Sequence, residues 1–361
     1  MRVYFIGSGL QGCYKVRCLN PLVANGWDGD QTSVNKDMKT PENKSLAAQA
    51  ADVVVFHRPD EPDKLKLARL LKSIGKKVVF DNDDTFKQDS VVALNRFMNK
   101  KKYTTGLKKI NKCIDDFIKE ADMVTCSTEY LAEEYRKLNN NVVVLPNCID
   151  PFDFDEPLKN ETSKVRIGVT GSIGVTDDLW VLEKFIPGLL NRDDVELVFF
   201  SLSPEKDRKL IKEVYTKEYK FLEKLLKAKN VTWQPFVEMQ DYYTTLNDLR
   251  LDIMLIPRED SYFNRCKSNL KFLEASMLEI PVIAQGFSDG KSPYQIDPDD
   301  ARHMIIVEDN SKWLEEIDKL VKDKELREKM GKEAKEYVSK KYDIEKNAHK
   351  WEDAYKLMYK K

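Results

Sequence analysis

Lys267–Gln285, reading KSNLKFLEASMLEIPVIAQ, joins a polar start to a helix-length run and then to an apolar strand opened by Pro281. Lys267, Lys271 and Glu274 stand at i, i+4 and i+7, so a helix sets two cations and a carboxylate on one face. Leu270, Leu273 and Met277 repeat on a neighbouring face, the one expected to be buried. The first N–H groups of a helix lack partners within it. With cations beside them they suit a diphosphate, and a carboxylate two turns in suits a ribose diol. The competing reading is an ordinary amphipathic helix with solvated lysines.

Outward from this stretch, apolar strand-like runs alternate with helical patterns, which argues an α/β protein with mostly parallel sheets. The first series of strands is Val3–Ile6, Val53–Phe56, Val78–Phe80, Met123–Cys126 and Val142–Leu145. Helical patterns separate them around Lys15–Ala24, Asp63–Ser73, Leu107–Glu120 and Glu129–Leu138. Pro146–Ser163 is proline- and acid-rich without periodicity and reads as a break between domains. A second series follows: Val165–Thr170, Glu196–Ser201, Val231–Phe236, Ile253–Pro257, Pro281–Ala284 and Met304–Val307. Two charged helices over 311–322 and 324–340 come next, and a last amphipathic helix runs through Trp351, Tyr355 and Leu357. A chain of 361 residues exceeds one comfortable core, so two domains are expected. The reading is two doubly wound Rossmann-like domains facing across a cleft, 1–150 and 164–341, joined by a linker at 151–163 and followed by a helix over 342–361.

Sixty basic residues against 61 acidic ones give a net charge of −1, so nothing draws the whole protein to nucleic acid. Lys100, Lys101, Lys102, Lys108, Lys109 and Lys112 cluster locally and read as a solvated helix face, with phosphates or an anionic membrane surface as the alternative. Six scattered cysteines without a CxxC pair, and only three histidines, argue against structural zinc and for a reducing compartment. MRVYFIGSG reads as a strand entering a glycine turn rather than a signal peptide, and no apolar run approaches the ~18–20 residues of a membrane span. A cytoplasmic protein is expected.

Gly7-Ser8-Gly9-Leu10-Gln11-Gly12 spells GxGxxG after the first strand, where glycines permit tight turns and close approach of a phosphate. Asp28 and Asp30 lie near the offset a dinucleotide enzyme requires, but their surroundings make a poor strand. The turn therefore supports a nearby phosphate or simple packing better than a nicotinamide cofactor. Asp81-Asn82-Asp83-Asp84 follows a strand and could hold a divalent metal, receive sugar hydroxyls, or cap a helix. His57-Arg58-Pro59 closes the preceding strand and could reach the same cleft, although a lone histidine near a strand end is more often just a hydrogen-bonded residue. Gly171-Ser172-Ile173-Gly174 offers a second set of backbone amides for a phosphate. No Ser-His-Asp or Cys-His arrangement can be assembled.

These segments resemble a glycosyltransferase of the two-Rossmann GT-B fold, specifically glycosyltransferase family 4, over nearly the whole chain. VVVLPNCID (142–150) is similar to the family's PNG-(I/V)-D ending of the first domain, and VRIGVTGSIGVTDDLWVLEKFIPGLL to the opening of its donor domain. NVTWQPFVEMQDYYTTLNDLRLDIMLIP and KSNLKFLEASMLEIPVIA resemble the approach to the donor site and the helix holding the second glutamate of Glu-x7-Glu. YKVRCLNPLVANG, VVVFHRP, GKKVVFDNDDTF and ADMVTCSTEYLAEEY resemble a subgroup of bacterial surface-polysaccharide enzymes.

The resemblance implies that Glu274 binds the donor ribose, and that Lys267, Ser268, Asn269 and Lys271 line the diphosphate and sugar. It places Gly171 and Ser172 against the diphosphate, Phe236 and Val237 near the base, and Gly9 and Gly12 across the cleft. Asp81 falls where relatives often carry a histidine that contacts the sugar, with His57 beside it. The last helix is implied to cross back to the first domain. Two departures stand out: Cys266 occupies the position of the first motif glutamate, and Thr176-Asp177-Asp178 replaces a usual Arg/Lys pair.

The implied reaction is retaining sugar transfer from a nucleotide diphosphate sugar to an acceptor hydroxyl, with Lys267, Lys271 and Asp81 as catalytic residues and no metal required. Glycan, lipid-linked glycan, protein and modified nucleic-acid base are open as acceptors, the lipid-linked case with peripheral contact at the inner membrane face. A metal-dependent transferase using Asp81 and Asp83, an NAD-dependent oxidoreductase and a non-catalytic nucleotide-sugar binding protein are the alternatives.

Overall fold

The computed structural model describes residues 1–7, 12–27, 47–85, 100–171, 178–201 and 216–360. In the first domain β1 (Val3–Ile6), β2 (Val53–His57), β3 (Lys77–Asn82), β4 (Met123–Cys126) and β5 (Val142–Val144) form a parallel sheet. In the second, β6 (Val165–Thr170), β7 (Val195–Phe200), β8 (Val231–Gln234), β9 (Ile253–Ile256), β10 (Val282–Gln285) and β11 (Ile305–Val307) form another. Every strand expected from the sequence is present.

The second sheet runs β11-β10-β9-β6-β7-β8, so the chain starts centrally, builds outward, then reverses between β6 and β9. Such a reversal opens a crevice at the carboxyl ends of the strands. Over the described residues the first sheet runs β1-β2-β3-β4-β5 in sequence order, without that reversal.

Both faces of each sheet are buried, and strand residues divide between them with period two. In the first domain Val54, Phe56, Val78 and Phe80 pack with Phe117 on one face, while Val53, Val55 and Val79 pack with Trp351 and Tyr355 on the other. Trp351 and Tyr355 belong to the last helix, His349–Leu357, which therefore completes the first domain's core. The crossing is pinned where Ile149 N–H donates to Tyr342 O at 2.9 Å and Ile344 N–H donates to Ile149 O at 2.8 Å.

The first helix carries a π-helical turn, Lys15–Leu19, between Gly12–Tyr14 and Asn20–Ala24. Pro21 has no N–H to donate to the Arg17 carbonyl, so the regular ladder fails there, and Asn20 N–H bonds instead to Lys15 O. Arg17, inside this wide turn, is fully buried.

Candidate functional site

The helix Leu270–Met277 lies under the second sheet with Phe272, Leu273, Ala275, Ser276 and Met277 buried, so more of its circumference is covered than the sequence pattern implies. Its lysine is not a solvated surface group. Lys271 Nζ donates to Thr170 Oγ1 at 2.6 Å, at the last residue of β6. One turn on, Glu274 is 7% exposed and accepts from Tyr242 Oη at 3.2 Å. The Tyr242 ring is stacked on Phe200, 5.2 Å between centroids, which holds that hydroxyl in place.

Burial disfavours both charges here. It pushes Lys271 down to about 8 with Arg258 adding to the effect and Glu274 opposing it. Glu274 goes up to about 7 for the same reason, against the pull of Lys271 and the Tyr242 hydrogen bond. Two buried groups poised near neutrality are a feature of working sites more than of scaffolds.

Asn269 occupies the N-cap position but makes no cap bond to the first turn. Its amide donates instead to Asp300 Oδ2 at 2.5 Å and to Tyr342 Oη at 3.2 Å, so the expectation that Asn269 lines a diphosphate is corrected. No side chain caps the helix; Phe272 N–H is taken by the Asn269 carbonyl at 2.8 Å, so the N–H groups of Leu270 and Lys271 are the ones left for an anion.

Arg258, just beyond β9, is a cation the sequence reading missed. It is 6% exposed and donates to Asp178 Oδ2 at 2.7 Å. Asp178 also accepts from Asn264 Nδ2 at 2.7 Å and from Glu259 N–H at 3.0 Å. The acidic residue that replaces the usual basic pair is thus the counter-ion that seats an arginine from another loop. Thr170, Asp178, Arg258 and Lys271 line one small hollow.

On the facing domain, the parallel register sets His57 of β2 beside Asp81 of β3. Asp81 Oδ1 accepts from Arg17 Nε at 3.2 Å and meets His57 Nδ1 at 2.9 Å, while Oδ2 accepts from Arg17 NH2 at 2.6 Å and Thr125 Oγ1 at 2.7 Å. A carboxylate offers about four lone-pair positions, and these contacts fill them. At 1% exposure Asp81 has nothing to offer a sugar, so the expectation of a catalytic Asp81 is corrected: it holds His57. Burial alone would raise its pKa, but Arg17 and His57 outweigh this and hold it at about 2. Asp83 is likewise tied, accepting from Arg58 Nε at 2.7 Å, and is held below the usual carboxylate range by that guanidinium despite burial.

The two domains touch at this point. Lys267 Nζ pairs with Asp84 Oδ2 at 2.6 Å, and Asn147 Nδ2 donates to Ser268 Oγ at 2.9 Å. Gly12 faces the second domain, since a Cβ there would lie 3.4 Å from Met239 Sδ. Gly7 serves packing, because a Cβ would meet the Tyr14 ring at 2.3 Å. Gly171 N–H donates to Phe200 O at 3.0 Å and so carries the β6–β7 ladder one residue past β6. Phe236 is 64% exposed beyond β8, and Val237 packs against the core that carries Tyr242. Gly9, Ser172, Asp28, Asp30, Thr176 and Asp177 lie outside the described residues.

Cys266 is fully buried and belongs to the first domain's core, where neighbouring Tyr262 and Tyr130 rings lie 5.8 Å apart. Among the described residues no group of three or more His, Cys, Asp or Glu is arranged to hold a metal ion, and no helix is long and apolar enough to cross a membrane. Lys108, Lys109 and Lys112 are exposed on the helix Lys100–Glu120.

No protein-family model and no curated protein matches the chain. Among solved structures it is similar to TarM of S. aureus at 15% identity and TM-score 0.57, covering 86% of this chain and 58% of that one. It is similar to Anabaena HepE in complex with UDP and glucose at 10% identity and TM-score 0.62, covering 98% and 99%. It is also similar to an α-glucosyltransferase in complex with UDP and a 13-mer DNA containing an HMU base, at 14% identity and TM-score 0.62, covering 100% and 99%. At these identities the likeness carries the fold: two parallel-sheet α/β domains of the GT-B type.

Proposed function

We propose that the chain is a glycosyltransferase that moves a sugar from a nucleotide diphosphate sugar to an acceptor hydroxyl with retention of configuration. The observation that carries this reading is the start of the Leu270–Met277 helix, set at the strand-order reversal beside Lys271 and Arg258, with Glu274 behind it. As the glycosidic bond breaks, charge develops on the leaving diphosphate. Helix N–H groups and the Lys271 ammonium, fixed in a half-buried crevice, stabilise that charge without reorganising. Glu274, steadied by Tyr242, accepts from the ribose diol. No enzymic nucleophile is needed, because a phosphate oxygen of the leaving group takes the acceptor's proton on the same face.

Lys267 supplies a third cation once it exchanges Asp84 for a phosphate oxygen. The transfer runs without a divalent metal, since a metal at Asp81 or Asp83 would have to displace the arginines already bound there. The structures of similar fold that hold UDP support a uridine nucleotide as donor. The acceptor is a glycan, a lipid-linked glycan at the inner membrane face, or another hydroxyl.

The test is a thermal-shift screen of UDP- and GDP-sugars with magnesium and with chelator. One nucleotide sugar is expected to raise the melting temperature by about 5 °C at saturation, equally in both conditions. No shift with any of them, or a shift that chelator abolishes, overturns the reading.

A further inference from the structure

We propose that Arg17 is a positioning residue for the donor diphosphate, which from the first domain's core fixes the direction in which the Ser268 hydroxyl of the second domain donates. This rests on the nucleotide-sugar reading above. Arg17 is fully buried and its guanidinium can only donate. Two of its nitrogens are committed to Asp81. The third, NH1, donates to the Leu145 carbonyl and, at 3.3 Å, to the Asn147 side chain.

Because Arg17 cannot accept, the atom that Asn147 turns toward it must be the amide oxygen. The amide is thereby locked, and its Nδ2 faces Ser268 Oγ at 2.9 Å across the domain boundary. Asn147 is 1% exposed, so no solvent exchange relaxes this choice. A lone pair of the Ser268 oxygen is then occupied by an N–H, and its single proton is directed away from Asn147. Ser268 immediately precedes the N-cap of the helix whose first turn carries no bond from the N-cap side chain. A hydroxyl there with its proton outward donates to an anion and discriminates against a cation. The polarity is set two hydrogen bonds back, in the other domain, so it exists only when the domains are apposed.

The experiment is calorimetric titration of the full chain with UDP and uridine, repeated with GDP and guanosine, for the wild type, Ser268→Ala, Asn147→Asp, the double variant and Arg17→Lys. Asn147→Asp keeps a partner for Arg17 but presents only acceptors, so Ser268 must turn its proton inward. Each single variant, and Arg17→Lys, is expected to weaken diphosphate binding about tenfold while leaving the nucleoside unaffected. The double variant is expected to be no weaker than either single one, because both remove the same donor. If the two losses multiply, the carboxylate introduced by Asn147→Asp acts through its charge and the inference is overturned, as it is if diphosphate and nucleoside lose affinity alike. In both cases the nucleotide-sugar reading stands. A wild-type chain that binds neither UDP nor GDP overturns that reading and the inference with it.

Discussion

Asp81 and Glu274 are both buried carboxylates at the mouth of a parallel sheet, one on each side of the cleft, yet they are furnished in opposite ways. Asp81 receives four hydrogen bonds, from Arg17 twice, His57 and Thr125, and is held at about 2 because Arg17 and His57 outweigh its burial. Glu274 receives one described bond, from Tyr242, and burial pushes it up to about 7. The difference separates scaffold from site. A carboxylate with every lone pair filled is a rigid joint, whereas one with unspent acceptors in a low-dielectric crevice has capacity reserved for a ligand.

The strongest way to break this comparison is Asp81→Ala. It leaves the Arg17 guanidinium buried without its counter-ion, which costs about 3–5 kcal/mol of stability. Urea unfolding is expected to show the loss, and an unchanged midpoint with lost turnover would return Asp81 to the chemistry. The native pair carries the matching pH signature. Its stabilisation is complete above the ordinary carboxylate value of 3.8 and is lost as pH falls through that value toward about 2.

Lys271→Ala is expected to act on the other side of the comparison. Turnover falls ~100-fold or more, the scale of losing one electrostatic contact to a leaving group, with the melting temperature within a few degrees of wild type. Equal loss of folding would make Lys271 a second joint like Arg17.

The smallest effect sharpens the comparison through pH. The ribose contact needs the Glu274 carboxylate, present above about 7, and the diphosphate contact needs the Lys271 ammonium, present below about 8. Nucleotide affinity measured by calorimetry is therefore expected to peak between these values and to fall several-fold toward either roughly pH 6 or pH 9. Glu274→Gln is expected to abolish the acid limb and keep the alkaline one. A flat profile in the wild type would show that neither group meets the nucleotide.

The strands and the helix Leu270–Met277 were legible because hydrophobic periodicity is a local signal, repeated every few residues. Lys271 and Glu274 were legible as a pair for the same reason, being neighbours on one helical turn. Arg258 was not. It lies 80 residues from the Asp178 that seats it, and only the crossover between β6 and β9 brings them together. Asn269 misled because the resemblance places it at the diphosphate, while the acceptor that takes its amide, Asp300, arrives from 31 residues away. Asp81 misled because an acidic run after a strand looks the same whether its oxygens are free or filled.

What the chain's own order of residues determined is the alternation of strands and helices, the break between two α/β units and one helix face bearing Lys271 and Glu274. Backbone geometry alone converts such spacing into structure. Which charges are spent and which are held in reserve was decided only in three dimensions. Arg17 reaches Asp81 over 64 residues, and Asn147 reaches Ser268 over 121. Hydrogen-bond saturation depends on distances of about 3 Å between groups that no local pattern relates, so it exists only once each domain has folded and, for Asn147 and Ser268, once the two have packed.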